Sequence, residues 1–144
     1  MRLKSLLVVM ILLMAGGCAT YRDDSLARME TLPLHYEKFD VQMAWEVRSA
    51  KGSTVIDGVI KNIRYFEMSQ LQIQVSSLDE NGKKVHQAVD FINTLRENEA
   101  GTFTLKLPQL ESGSRLRFIY SYIGTDGGRS GGTLWEQSFE SRVP

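Results

Sequence analysis

From residue 36 to the end of the chain, apolar side chains return at every second position, and that period limits which regular structure the chain can build. Phe39, Val41, Met43, Trp45 and Val47 alternate with Asp40, Gln42, Ala44, Glu46 and Arg48. Successive side chains of a β-strand point to opposite faces, so this pattern sends one set into a core and the other into water. A helix would scatter both sets around its circumference. Leu71, Ile73 and Val75 repeat the pattern against Gln70, Gln72, Gln74 and Ser76. Phe103, Leu105 and Leu107 do so again, as do Leu116, Phe118, Tyr120 and Tyr122 against Arg115, Arg117, Ile119 and Ser121.

Turn chemistry separates these runs. Gly52 and Ser53 close the first, and residues 54–63 form a β-branched second run broken at Gly58, where a missing side chain predicts a bulge or the close approach of another backbone. Asp79-Glu80-Asn81-Gly82 supplies the positive-φ positions of a tight hairpin, after which residues 83–91 return as its partner strand. Residues 93–101 read as a polar turn with one helical turn at 95–100, and Pro108 ends the strand that begins at Phe103. The last strand carries Leu134, Trp135 and Phe139. The sum is seven strands without a sustained helical period, which predicts an all-β, seven-stranded antiparallel Ig-like β-sandwich, with a small barrel as the competing closure.

At 144 residues the chain holds one such domain. Its single cysteine, Cys18, excludes an internal disulfide, so packing must supply the stability. Residues 1–17 read as a leader instead of fold: Arg2 and Lys4 make a positive start, an apolar stretch covers residues 6–14, and Ala15, Gly16 and Gly17 precede Cys18. The apolar stretch is too short to span a bilayer, which takes roughly 20 residues. Of 17 basic residues, Arg2 and Lys4 fall in that leader, leaving 15 against 17 acidic and a net charge of −2. Such a balance gives no attraction to nucleic acid.

Ala15-Gly16-Gly17-Cys18 resembles the lipobox of bacterial lipoproteins, with Ala15 where Leu is usual. The resemblance implies cleavage before Cys18, a diacylglyceryl group on its thiol and a further acyl chain on its freed amine. Two or more chains make a stable anchor, so the mature protein would be held to a membrane without crossing it. Ala19, where an Asp would retain such a protein at the inner membrane, implies the outer membrane. Residues 18–34 then read as a lipidated tether and residues 35–144 as the sandwich. A flexible tether of that length would lift the domain roughly 20–24 Å from the lipid. A short helix within it, over residues 25–31 with Ser25 as N-cap, is marginal alone.

A second resemblance spans residues 56–107. Gly58 with Asn62, the strand end Val75-Ser76-Ser77-Leu78-Asp79, the turn Asn81-Gly82-Lys83, and Leu95 before Phe103 are similar to bacterial Ig-like domains of the FxLYD type. Of the five-letter signature, Asp79 is retained. The resemblance implies the fold and an envelope or extracellular setting, with no shared active site.

No constellation for catalysis stands out. His35 and His86 have no close ligand spacing and read as surface residues instead of a metal pair. Asp79-Glu80 runs into Lys83 and Lys84, which would repel calcium. Ser130 lacks the Gly-x-Ser-x-Gly elbow and a following helix, so no nucleophile is identified. The aromatic set Tyr65, Phe66, Tyr120, Tyr122 and Trp135 falls mostly on core faces. The exposed segment of interest is the glycine-rich loop at residues 124–132, whose Thr125, Asp126, Arg129 and Ser130 are the candidate binding residues. The expectation is a non-catalytic module without cofactor or metal, anchored to the membrane and binding an envelope protein through a sheet edge or this loop. The alternative is a glycan or lipid ligand in an aromatic-lined cavity between or beneath the sheets.

Overall fold

A computed structural model describes residues 24–125 and 131–144. One helix, α1 (Asp24–Thr31), precedes eight strands: β1 (Leu34–Glu37), β2 (Val41–Ala50), β3 (Ser53–Asn62), β4 (Glu67–Leu78), β5 (Lys84–Ile92), β6 (Ala100–Pro108), β7 (Arg115–Thr125) and β8 (Thr133–Arg142). They pair antiparallel in two open four-stranded sheets, sheet A in the order β1-β2-β3-β6 and sheet B in the order β5-β4-β7-β8. The molecule is a β-sandwich, and the barrel alternative falls away because neither sheet closes on itself.

Strands β2 to β8 are the seven read from the alternation; β1 is the eighth. Its four residues are too few for a period of two to stand out. They are held by pairing with β2, Leu34 opposite Trp45 and Tyr36 opposite Met43. The separate β1 also displaces Phe39, expected on the buried row of the first strand, into the connection at residues 38–40, where it is 46% exposed.

Between the sheets, Met43, Trp45, Ile56 and Ile60 from sheet A meet Ile73, Val75, Phe118 and Tyr120 from sheet B. The inward rows are those the alternation assigned. At the β1/β8 side the sheets are joined by rings: Tyr36 stacks on Phe139 at 3.8 Å, Phe139 on Phe118 at 4.8 Å, and Trp45 lies 5.0 Å from Phe118. Gly58 pairs with Phe103, and a Cβ at that position would run into the Phe103 ring and the Ala44 carbonyl. The close approach expected there is made by a side chain from the neighbouring strand.

Two local expectations change. Residues 95–100 form no helical turn: Met68 and Leu95 exchange backbone hydrogen bonds of 2.9 Å in each direction, and Asn98 takes a left-handed φ of 63°. Pairing with β4 satisfies polar groups that a helical turn would have bonded internally. In the hairpin, only Gly82 has positive φ, 78°, and its N–H donates to the Asp79 carbonyl. Asp79 Oδ1 accepts from the N–H groups of Asn81 and Lys83, so the carboxylate shapes the turn from within.

The larger correction concerns the tether. Its second half belongs to the domain: α1 packs on the outer face of sheet A, where Leu32, Ala44 and Val59 are buried with Met29 and Ala100 against them. An eight-residue helix is marginal by itself, so this burial holds it. Ala44 and Val59 offer a low surface on which it can lie. Asp24 in the first turn and Arg28 in the last suit the helix dipole, and the Thr31 hydroxyl donates to the Arg28 carbonyl at 2.9 Å. Asp24 is already helical, so Ser25 lies within the helix and not at the N-cap position expected for it. Leu34, expected as the last tether residue, opens β1.

Candidate functional site

One end of the sandwich gathers the connections at residues 38–40, 63–66 and 93–99 with the end of β7. Three buried or partly buried polar side chains organise it. Asp40 is fully buried, and its two carboxylate oxygens accept from Tyr120 Oη at 2.8 Å and Tyr122 Oη at 2.9 Å. These tyrosines are two positions apart on β7 and therefore project the same way, with their rings 6.5 Å apart and nearly parallel. Burial first, then the hydrogen bond and charge of Asp40, push both phenols far above their ordinary value, so they act as permanent donors. The carbonyl of Asp40 receives the N–H of Ile63 at 3.1 Å, tying two connections together.

Asn62, fully buried at the end of β3, does the same for the next connection. Its Nδ2 donates to the carbonyls of Phe66 at 2.8 Å and Leu95 at 3.1 Å, while its Oδ1 accepts from the N–H of Arg64 at 2.8 Å. The turn so formed sets the Arg64 guanidinium among aromatic faces, 5.5 Å from the centroids of Tyr65 and Phe66 and 5.9 Å from that of Phe39. A cation at these distances is attracted by the negative ring faces. Phe39 in turn lies 5.8 Å from Trp135 on β8. Gly124 leaves room for this layer, since a Cβ there would come within 3.0 Å of Phe66 and 3.3 Å of the Trp135 indole nitrogen.

Of the residues singled out in sequence, Thr125 ends β7, paired with Glu67, and so lies at this end. Asp126, Arg129 and Ser130 lie outside the described residues, as does Cys18. His35 is exposed on β1 and His86 on β5, in different sheets. Among the described residues no group of three or more His, Cys, Asp or Glu side chains is placed to hold a metal. Of the aromatic set, Phe66, Tyr120 and Tyr122 are buried as expected, Trp135 is partly covered and Tyr65 is 69% exposed. Sequence reasoning missed Asp40 and Arg64. Asp40 was placed on the wet row, but it precedes β2, where the alternation does not hold. Arg64 had as its one signal the two aromatic neighbours that follow it.

A second polar cluster lies on the outer face of sheet A. Arg48 donates to Asp57 Oδ2 through Nε at 3.0 Å and Nη2 at 2.7 Å, and the Thr104 hydroxyl donates to Oδ1 at 2.6 Å. Burial alone would raise the Asp57 carboxyl; the Thr104 hydrogen bond and the Arg48 guanidinium outweigh it and hold the group below its ordinary value. The chemistry of both clusters is structural, each carboxylate having its oxygens engaged.

The open edges differ in character. The outer face of β8 carries exposed Leu134 followed by Glu136, Glu140 and Arg142, with Glu140 bridging Arg115 at 2.9 Å and Arg117 at 2.8 Å. β6 and β5 are tied to each other across the sandwich, because the Thr104 N–H on β6 donates to Asp90 Oδ2 on β5 at 2.8 Å. β5, the first strand of sheet B, has no strand on its far side and presents Val85, Val89 and Phe91 to solvent.

No protein-family model and no curated protein matches the sequence. Similar solved structures include the GAE domain of GGA2p from Saccharomyces cerevisiae, 11% identical with a TM-score of 0.49 over 78% of this chain and 98% of that one. The yeast GGA1 GAE domain is 12% identical with a TM-score of 0.48, over 76% and 95%. A protein from Archaeoglobus fulgidus is 16% identical with a TM-score of 0.36, over 77% and 98%. Likenesses at this level carry no function from one chain to another.

Proposed function

We propose that this chain is a bacterial envelope lipoprotein, trimmed before Cys18, acylated there and held to the outer membrane, whose Ig-like sandwich is a non-catalytic module that binds another envelope protein. The observation that supports a protein-binding role is β5: an edge strand whose outward row exposes Val85, Val89 and Phe91 around Gln87, where that of β8 exposes Glu136, Glu140 and Arg142 with Leu134 at its start. An open edge offers main-chain donors and acceptors to an added strand, and the flanking valines offer apolar area beside it. The anchor rests on the resemblance around Cys18. The alternative, a glycan or lipid held between the sheets, finds that space filled by Phe103, Phe118, Tyr120 and Tyr122, all buried to within 1%.

The test is photo-crosslinking in intact cells from a reactive side chain at Val89, with Lys106 on β6 as the comparison site. One defined adduct from Val89, absent from Lys106 and reduced by Val85→Lys, supports the binding edge; equal labelling from both sites sinks it. The anchor is checked separately by the mass of the N-terminal peptide and by membrane retention of Cys18→Ser.

A further inference from the structure

We infer that the aromatic end of the sandwich rests on the lipid headgroups, so that the domain stands on the membrane by this end instead of hanging clear of it; the inference rests on acylation of Cys18. The packed position of α1 is its first support. With the chain already helical at Asp24 and lying on sheet A, at most the path from Cys18 to Asp24 is left to act as a tether. Whatever course it takes, six residue steps span at most about 22 Å. That is shorter than the sandwich itself, since strands of ten residues such as β2 and β3 are about 34 Å long. Whichever part of the domain adjoins Asp24 is therefore the part next to the lipid.

That part is the aromatic end. Ser25 lines the same surface hollow as Phe91, Asn93, Thr94 and Glu99, beside the connection that Asn62 binds to the Arg64 turn. Around this end, Phe91 is 73% exposed and Tyr65 69%, with Phe39 half-exposed and Arg64 between the rings. Large aromatics in water are costly, yet at the boundary between headgroups and acyl chains they are favoured, and an arginine can keep its charge among phosphates while its stem lies against the rings. The opposite end, with its turns at Gly52, Gly82 and Gly113, shows no large exposed apolar side chain within those turns. Charge does not drive the contact: among the described residues, the three cations Lys38, Arg64 and Arg96 at the aromatic end are outnumbered by the four carboxylates Asp24, Glu67, Glu97 and Glu99. The contact is therefore apolar and should survive high salt.

The test uses the full-length chain, processed by a bacterial host and reconstituted into vesicles of phosphatidylethanolamine and phosphatidylglycerol. An environment-sensitive fluorophore is placed at Thr94→Cys, in the aromatic end, or at Ser112→Cys, in the opposite one; both positions are exposed. The expected result is blue-shifted emission at position 94 that is quenched by lipids brominated on their acyl chains, with water-like, unquenched emission at 112, in low and high salt alike. Tyr65→Ser combined with Phe91→Ser should reduce the quenching at 94 while flotation with vesicles is unchanged. Water-like emission at both positions in protein that floats and carries acylated Cys18 overturns the inference and leaves the anchor intact. Stronger quenching at 112 than at 94 overturns it as well. Protein that does not float and whose Cys18 peptide lacks acyl mass overturns the anchor, and the inference with it.

Discussion

Asp40 and Asp57 are carboxylates of one sandwich with opposite solutions to the same problem. Asp57 lies on the outer face of sheet A, takes its charge partner from Arg48, which is half-exposed, and is left with a depressed pKa. Asp40 is sealed inside the aromatic end with two tyrosine hydroxyls as its side-chain donors. The difference teaches where each can matter. A partly solvated ion pair exchanges water for a partner at little net gain, whereas a buried cluster leaves unmet hydrogen bonds whenever one member is removed.

The largest effect should follow from Asp40→Ala, which strands two buried hydroxyls; a loss of about 2–5 kcal/mol is expected from the urea midpoint. Asp40→Leu in a Tyr120→Phe, Tyr122→Phe background should cost much less than Asp40→Leu alone, because donors and acceptor then vanish together. An unchanged midpoint in Asp40→Ala would erase the distinction between the two carboxylates. The same cluster predicts an alkaline transition. Both phenols are raised in the folded state, so their contribution is complete below the unfolded value near 10 and is lost as pH rises above it. Ultraviolet titration should show two of the five tyrosines ionising only as the protein unfolds. Two phenols that titrate freely in folded protein would contradict the buried cluster.

Next in size is Asn62→Ala, which removes three hydrogen bonds at the same end. A loss of about 1–3 kcal/mol is expected, with faster amide exchange at Arg64 than at residues of β5. Uniform acceleration throughout the chain would mean that Asn62 does not act on this connection in particular. The smallest effect belongs to Asp57→Asn, at most about 1 kcal/mol near neutral pH. Here the folded pKa is lowered, so the contribution is present above the unfolded value of 3.8 and is lost as pH falls through the folded one. The difference in Tm between the parent and Asp57→Asn should therefore shrink on acidification below that value. A gap that widens instead would show that Asp57 is held by something other than Arg48 and Thr104.

Much of this architecture was legible because it is local. The row Val41, Met43, Trp45 and the row Leu116, Phe118, Tyr120, Tyr122 face the core as their spacing requires, and Gly58 marks a true close approach. Asn62 entered only as part of a family likeness, and its three partners could not be read from it. Phe39 and Asp40 were assigned by extending an alternation two residues past the strand that justified it. The candidate loop was legible as glycine-rich, yet of its named residues only Thr125 is among those described.

The sequence by itself determined the strands from β2 to β8 and the layered class of the fold, since period and turn residues are properties of neighbouring positions. Only the tertiary structure decided that α1 and β1 join the domain and that Asp40 turns inward to two tyrosines. It also decided that β5, tied to β6 through Asp90, leaves Val85, Val89 and Phe91 exposed. Those outcomes depend on which surfaces meet across long stretches of chain, where burial and hydrogen-bond satisfaction outweigh the preference of any short segment.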